Sequence, residues 1–205
     1  MANGLYQTEG IILSYFDTGE ADKVLNVFTK EFGMLKLFAR GVRRHASKLN
    51  RYLNLFSYGR FGFVSGRNTW HLVDSEHLRY FDGVMSSEKK LMHLGEVSNF
   101  IGRFQKGEGE DAFLWSIIFS FFEALNERGD DEIKDLEQIF YAKALFVMGY
   151  LNEQSILELG PDEEKEKLSK IFHDSGFKEI LLPLSGGLSS YLADVIKTGI
   201  AASHL

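Results

Sequence analysis

The hydrophobic period of this chain changes once, near residue 80, and that change constrains the fold more than any other feature. Up to Tyr80 apolar and polar residues alternate, the two-residue period of half-buried strands. Residues 6–15 read as a strand ending in the turn Asp17-Thr18-Gly19. Residues 23–29 form a second, with Leu25, Val27 and Thr29 on one face. Residues 34–42 form a third, with Leu35, Leu37 and Ala39 on one side and Lys36, Phe38 and Arg40 on the other. After a basic linker come residues 55–64, where Phe61 and Phe63 share a face, and residues 69–73. Five short strands separated by glycines predict a small all-β barrel or sandwich. Gly10, Gly59 and Gly62 lie inside strand patterns, where glycine marks a bulge or a barrel corner.

From Ser86 onward the period becomes helical. Leu91, Leu94, Val97, Ser98 and Ile101 recur at three- and four-residue spacing, and Gly107-Glu108-Gly109 ends that stretch. Residues 111–126 are apolar on almost every side, as in a central buried helix. Asp130 is placed to cap a third helix whose inward stripe includes Ile133, Leu136, Ile139 and Phe140. A polar helix over 162–173 and a last helix over 191–201 complete the chain. The predicted fold class is α+β and multidomain. A five-stranded barrel occupies residues 1–80 and an α-helical domain residues 81–205, with the boundary at 79–87.

Charge divides along the same line. The formal net charge of −6 argues against a polyanionic partner for the chain as a whole. Residues 1–80, however, carry 11 Lys and Arg against 7 Asp and Glu, a balance of +4, and residues 81–205 carry 12 against 22, a balance of −10. Between Phe32 and Val73 there is no acid, but there are Lys36, Arg40, Arg43, Arg44, Lys48, Arg51, Arg60 and Arg67. Screening acts over about 8 Å at physiological salt, so an acidic half does not cancel a basic one that folds separately. Like charges crowded into one loop repel, and folding alone gives no reason to gather Arg43, Arg44 and Lys48 there.

The same span is rich in aromatic rings. Cations that follow phosphates and rings that stack on splayed bases form a single-strand-binding surface, and a five-stranded barrel with one such face is the OB-fold arrangement. Most of the rings must fill the barrel, which leaves Phe38, Tyr58 and Trp70 as the stacking candidates beside the eight cations.

Catalytic chemistry finds little support. The absence of cysteine excludes disulfides, thiolate catalysis and cysteine-based metal sites. The six histidines show no HxH or HExxH spacing, so no metal site is expected. Glu20 and Asp22 read as a capping pair or as partners of Lys23. The segment 180–190 lacks the GK[ST] ending of a phosphate loop, and Ser189 or Ser190 is expected to cap the following helix instead. No run approaches a membrane span and the first residues lack the pattern of an export signal, which points to a cytoplasmic protein.

The blocks Thr8-Glu9-Gly10-Ile11-Ile12-Leu13, Gly19-Glu20-Ala21-Asp22-Lys23-Val24-Leu25, Phe28-Thr29-Lys30-Glu31-Phe32-Gly33, Ala39-Arg40-Gly41-Val42-Arg43-Arg44, Ser47-Lys48-Leu49 and Leu53-Asn54-Leu55-Phe56 resemble the RecO family of bacterial recombination-mediator DNA-repair proteins. The likeness covers about the first 80 residues. In the helical half it rests on Phe146-Val147-Met148-Gly149-Tyr150. The resemblance implies an N-terminal OB-fold, a helical C-terminal domain, binding of single- and double-stranded DNA, and annealing of complementary strands. It further implies help in loading recombinase onto coated single strands and a nucleoid-associated location. RecR and the single-stranded-DNA-binding protein are the implied partners, the latter through its acidic, Phe-ending tail. Among the helical-half cations, Arg103 and Lys143 are the favoured contacts for that tail. Many family members carry a four-cysteine zinc module. This chain has serines in Gly186-Gly187-Leu188-Ser189-Ser190, taken as the place of part of that module, and zinc is dropped. No catalytic residue, metal or cofactor is assigned. The competing readings are a nucleic-acid-processing enzyme with a recruiting barrel, and a protein–protein adaptor.

Overall fold

A computed structural model describes residues 4–45, 47, 49–67, 69–104, 109–152, 156, 160–174, 176–177, 180 and 182–203. The alternating half forms β1 (Leu5–Thr18), β2 (Asp22–Thr29), β3 (Gly33–Ala39), β4 (Tyr58–Ser65) and β5 (Trp70–Arg79). These close into a barrel in the order β1-β2-β3-β5-β4. All neighbours run antiparallel except β3 and β5, which close the barrel in parallel through Leu37↔Trp70 and Phe38↔His71. Predicted and observed strands agree in number and order; β1 and β5 run further than the alternation indicated.

Closure depends on β1, whose first part pairs with β4 and whose second part pairs with β2. Gly10 stands at the handover, opposite both Gly59 and Thr29. A Cβ at Gly10 would lie 2.7 Å from Val27 Cγ1 and 3.0 Å from the Phe28 carbonyl, so only glycine lets the strands approach this closely. Register shifts at Ile12/Ser14, Tyr58/Gly59 and Gly62/Phe63 supply the bends that a small barrel needs. The inward positions of the alternation, among them Leu25, Val27, Leu35, Leu37, Phe61 and Phe63, are buried in one core. Each such side chain contributes about 1.5–3 kcal/mol of transfer free energy.

The helical half contains, among the described residues, α1 (Asp82–Met85), α2 (Glu88–Phe104), α3 (Ala112–Glu127), α4 (Ile133–Val147), α5 (Lys165–His173) and α6 (Gly186–Ala202). The chain divides into two compact units, Met1–Phe81 with Ser98–Trp115, and Asp82–Val97 with Ser116–Leu205. The barrel unit therefore takes in residues 98–115, beyond the division at residue 80 drawn from periodicity. Gly109 N–H donates to the Phe32 carbonyl at 3.0 Å, and the rings of Phe28 and Trp115 stack at 6.0 Å. Periodicity reports the type of an element and not what it packs against.

In the second unit Ile117, Ile118, Phe121, Phe122 and Leu125 are fully buried, which makes α3 the central helix its composition predicts. Two caps differ from expectation. Helix α4 begins after Glu132 without a side-chain cap, and the Asp130 carboxylate instead accepts from the Ser87 hydroxyl at 3.1 Å. Ser185 caps α6, accepting from Leu188 N–H at 3.2 Å, while the Ser189 hydroxyl donates to Gln138. Gly186 and Gly187 lie in the first turn of α6, and with no cysteine in the chain these residues do not fit a zinc module. Among the described residues no helix is long and apolar enough to cross a membrane.

Candidate nucleic-acid interface

The basic turn after β3 is held by the residues that open β2. Gly41 adopts a left-handed φ of +64°, open to glycine, and its N–H donates to Asp22 Oδ1 at 2.7 Å. Arg43 N–H donates to the Ala21 carbonyl at 2.9 Å, and Arg44 N–H to the Gly41 carbonyl at 3.2 Å. Asp22 thus caps and anchors the turn that carries the arginines.

Beside this turn the outer face of the barrel carries a register row that holds the rings of Phe16, Phe38 and His71 on either side of the buried Val24. Residues opposite one another in a sheet share a face, and the pairings Phe16↔Val24, Val24↔Phe38 and Phe38↔His71 run in register across β1, β2, β3 and β5. Phe16 is 49% exposed, and Phe38 meets His71 edge to face at 5.7 Å. The next outward row is Ser14, Asn26 and Lys36, in which Asn26 Nδ2 donates to Ser14 Oγ at 2.8 Å and Lys36 is exposed. Arg40 follows Phe38 by two positions and is exposed. Lys23 Nζ lies 4.4 Å from the centroid of the Tyr15 ring, itself 42% exposed.

The predicted cations divide by their partners. Lys36, Arg40, Arg44 and Arg67 are exposed, and no described residue forms an ion pair with them. Arg67 sits in the β4–β5 turn that leads directly into Trp70 and His71. Arg43 Nε lies 3.2 Å from Asp17. Arg60 lies between Glu76 at 2.9 Å and Glu9 at 3.6 Å, its register neighbours on β5 and β1, so the barrel itself neutralises it. Arg51 stacks on the Tyr52 ring at 4.7 Å. Lys48 lies outside the described residues.

Of the three predicted stacking rings, only Phe38 faces outward in the row. Trp70 shares the face of Leu37 and turns inward, edge to face on Phe63 at 5.2 Å and on Tyr6 at 5.3 Å. The Tyr58 hydroxyl donates to Glu9 Oε2 at 2.6 Å, and burial followed by the Glu9 carboxylate holds its pKa well above the usual phenol range. Phe16 lies ahead of the acid-free span and beyond the first alternating run, so neither charge nor alternation singles it out. Its signal was two-residue spacing from Ser14, past the bulge at Leu13.

Of the two cations favoured for a partner's tail, Arg103 is exposed on α2. Lys143 is not available. It is 1% exposed, and its ammonium donates to the carbonyls of Asp174 at 2.7 Å and Gly176 at 2.5 Å.

Comparison with known proteins bears on this barrel directly. Residues 1–81 match the family described as recombination protein O, N terminal. Over these residues the chain is similar to the N-terminal domain of RecO proteins. Proteins named DNA repair protein RecO are similar over more than this domain. The one from Halalkalibacterium halodurans is 28% identical over 144 residues, 70% of this chain and 56% of that protein. The one from Rubrobacter xylanophilus is 28% identical over 146 residues, 71% and 58% of the two chains. The one from Listeria monocytogenes is 27% identical over 141 residues, 69% and 54%. The match spans a little over half the length of these RecO relatives. It runs past the barrel into the helices, a similarity wider than the sequence blocks alone indicated.

Proposed function

We propose that this chain, similar to RecO proteins over its barrel, is a DNA repair and recombination mediator that works without covalent chemistry. Its barrel binds single- and double-stranded DNA along the Phe16–Phe38–His71 row. Lys36, Arg40, Arg44 and Arg67 neutralise phosphates, and Arg43 joins them when DNA displaces Asp17. The observation that carries this reading is the juxtaposition of outward-facing rings, exposed at Phe16 and half-buried at Phe38 and His71, with cations that form no ion pair with a described carboxylate. Stacking is tolerant of base identity, so binding is nearly sequence-blind.

Annealing two polyanions is opposed by their mutual repulsion. A protein that neutralises both strands and raises their local concentration lowers that barrier with no nucleophile or general base. In this reading the protein acts in the cytoplasm, associated with the nucleoid. It works with RecR and with the acidic tail of the single-stranded-DNA-binding protein to load recombinase onto coated strands, and Arg103 is the remaining cation for that tail.

The test is annealing and binding of complementary oligonucleotides over a salt series, comparing wild type with Lys36→Ala/Arg40→Ala/Arg44→Ala. Each phosphate contact contributes about −0.7 to the logarithmic salt slope on single strands, so the triple variant binds all sequences more weakly with a slope shallower by about 2. Unchanged binding and slope would remove this face from the mechanism.

A further inference from the structure

Helices α2 and α4 bring together three side chains that the DNA-binding reading does not use. His93 and Glu96 stand one turn apart on α2, and residues at i and i+3 lie on one helix face. Glu137 comes from α4 and is 8% exposed. One donor atom from each of the three lies within 4.8 Å of the others. His93 Nδ1 is 2.7 Å from Glu137 Oε2, and the Tyr141 hydroxyl donates to Glu137 Oε1 at 2.9 Å. We propose that His93, Glu96 and Glu137 bind a divalent transition-metal ion of the zinc class, which clamps α2 to α4.

The chemistry follows from the donor set. One imidazole nitrogen and two carboxylate oxygens are ligands zinc accepts at about 2.0–2.2 Å, and three protein ligands leave a fourth position for water. Tetrahedral donors at that distance stand about 3.3 Å apart. The His93–Glu137 pair therefore opens by about 0.6 Å, and Glu96, whose side chain is exposed, swings in to close the set. The ion takes the place of the direct hydrogen bond between His93 Nδ1 and Glu137 Oε2. Tyr141 is a positioning residue. By holding Oε1 it presents Oε2, as the outer partners of metal-bound carboxylates do. Spacing rules miss the site because it joins a His-x-x-Glu pair on one helix to a single Glu from another, 41 residues beyond Glu96.

The test uses the full chain after chelator treatment, titrated with Zn²⁺ by calorimetry and followed by thermal unfolding, with Mg²⁺ as control and Co²⁺ as spectroscopic probe. The expected result is one Zn²⁺ per chain, a raised Tm, no effect of Mg²⁺, and tetrahedral Co²⁺ absorption that His93→Gln abolishes. Glu96→Gln, on an exposed side chain that leaves the fold intact, weakens Zn²⁺ binding at least tenfold. Tyr141→Phe weakens it by about tenfold or more. Zn²⁺ binding equal in wild type and in Glu96→Gln, or no saturable binding below millimolar Zn²⁺, overturns the proposal and leaves His93 and Glu137 as a hydrogen-bonded cross-link only.

Discussion

The carboxylate of Asp22 accepts the backbone N–H of Gly41 at 2.7 Å, tying the first residue of β2 to the turn that leaves β3. A hydrogen bond to a charged acceptor contributes about 1.5–3 kcal/mol, and this one fixes the segment from which Arg40, Arg43 and Arg44 project. Asp22→Ala is expected to lower unfolding free energy by about 1–2 kcal/mol in urea titrations. It is also expected to weaken oligonucleotide binding severalfold with little change in salt slope, because the cations remain but lose their placement.

The row of rings makes a sharper forecast. Phe16→Ala and Phe38→Ala each lose about 1–3 kcal/mol of binding to single strands in fluorescence anisotropy, on purine and pyrimidine sequences alike. Trp70→Ala behaves differently. Its ring lies against Phe63 and Tyr6, so the loss falls on stability, by about 3 kcal/mol in denaturant unfolding. A binding defect in Trp70→Ala without a stability defect would place the stacking face on the wrong side of the sheet.

Arg60 separates local charge from net charge. Flanked by Glu9 and Glu76, it contributes little positive potential, and exposed ion pairs of this kind are worth about 0–1 kcal/mol. Arg60→Ala is expected to leave DNA affinity within a factor of two of wild type. Glu9→Gln/Glu76→Gln, which releases the guanidinium, is expected to raise affinity and steepen the salt slope.

Lys143 gives a pH dependence. Burial draws its pKa down from 10.5 to about 8, with the Asp174 charge opposing. Below pH 8 both folded and unfolded chains hold the proton. Between pH 8 and 10.5 the unfolded chain holds more protons, so this group's contribution to stability rises with pH across that window and is complete above it. In urea unfolding at pH 8 and 10.5, the stability of wild type relative to Lys143→Met is expected to move in favour of wild type by at most about 3 kcal/mol. An unchanged difference would mean that the ammonium is solvated.

Alternation and glycine placement were enough to read five strands, their inward faces and the helical character of the second half. These are local patterns: Leu35, Leu37 and Ala39 lie inward because side chains on a strand alternate, whatever the strand pairs with. The match to the RecO domain was legible for a similar reason, in contiguous blocks that shape each turn. Which outward residue meets which cation was not legible, because it depends on register between strands. Glu9 and Glu76 come to Arg60 from positions 51 before it and 16 after it, and Phe16 reaches the row of Phe38 through Val24. Burial of Lys143 and the meeting of His93 with Glu137 are likewise products of helix packing, which places groups from distant parts of the chain in contact. Charge and periodicity belong to the sequence; pairing, and with it the availability of each charge, belongs to the tertiary structure, since electrostatic and hydrogen-bond energies depend on distances that only packing sets.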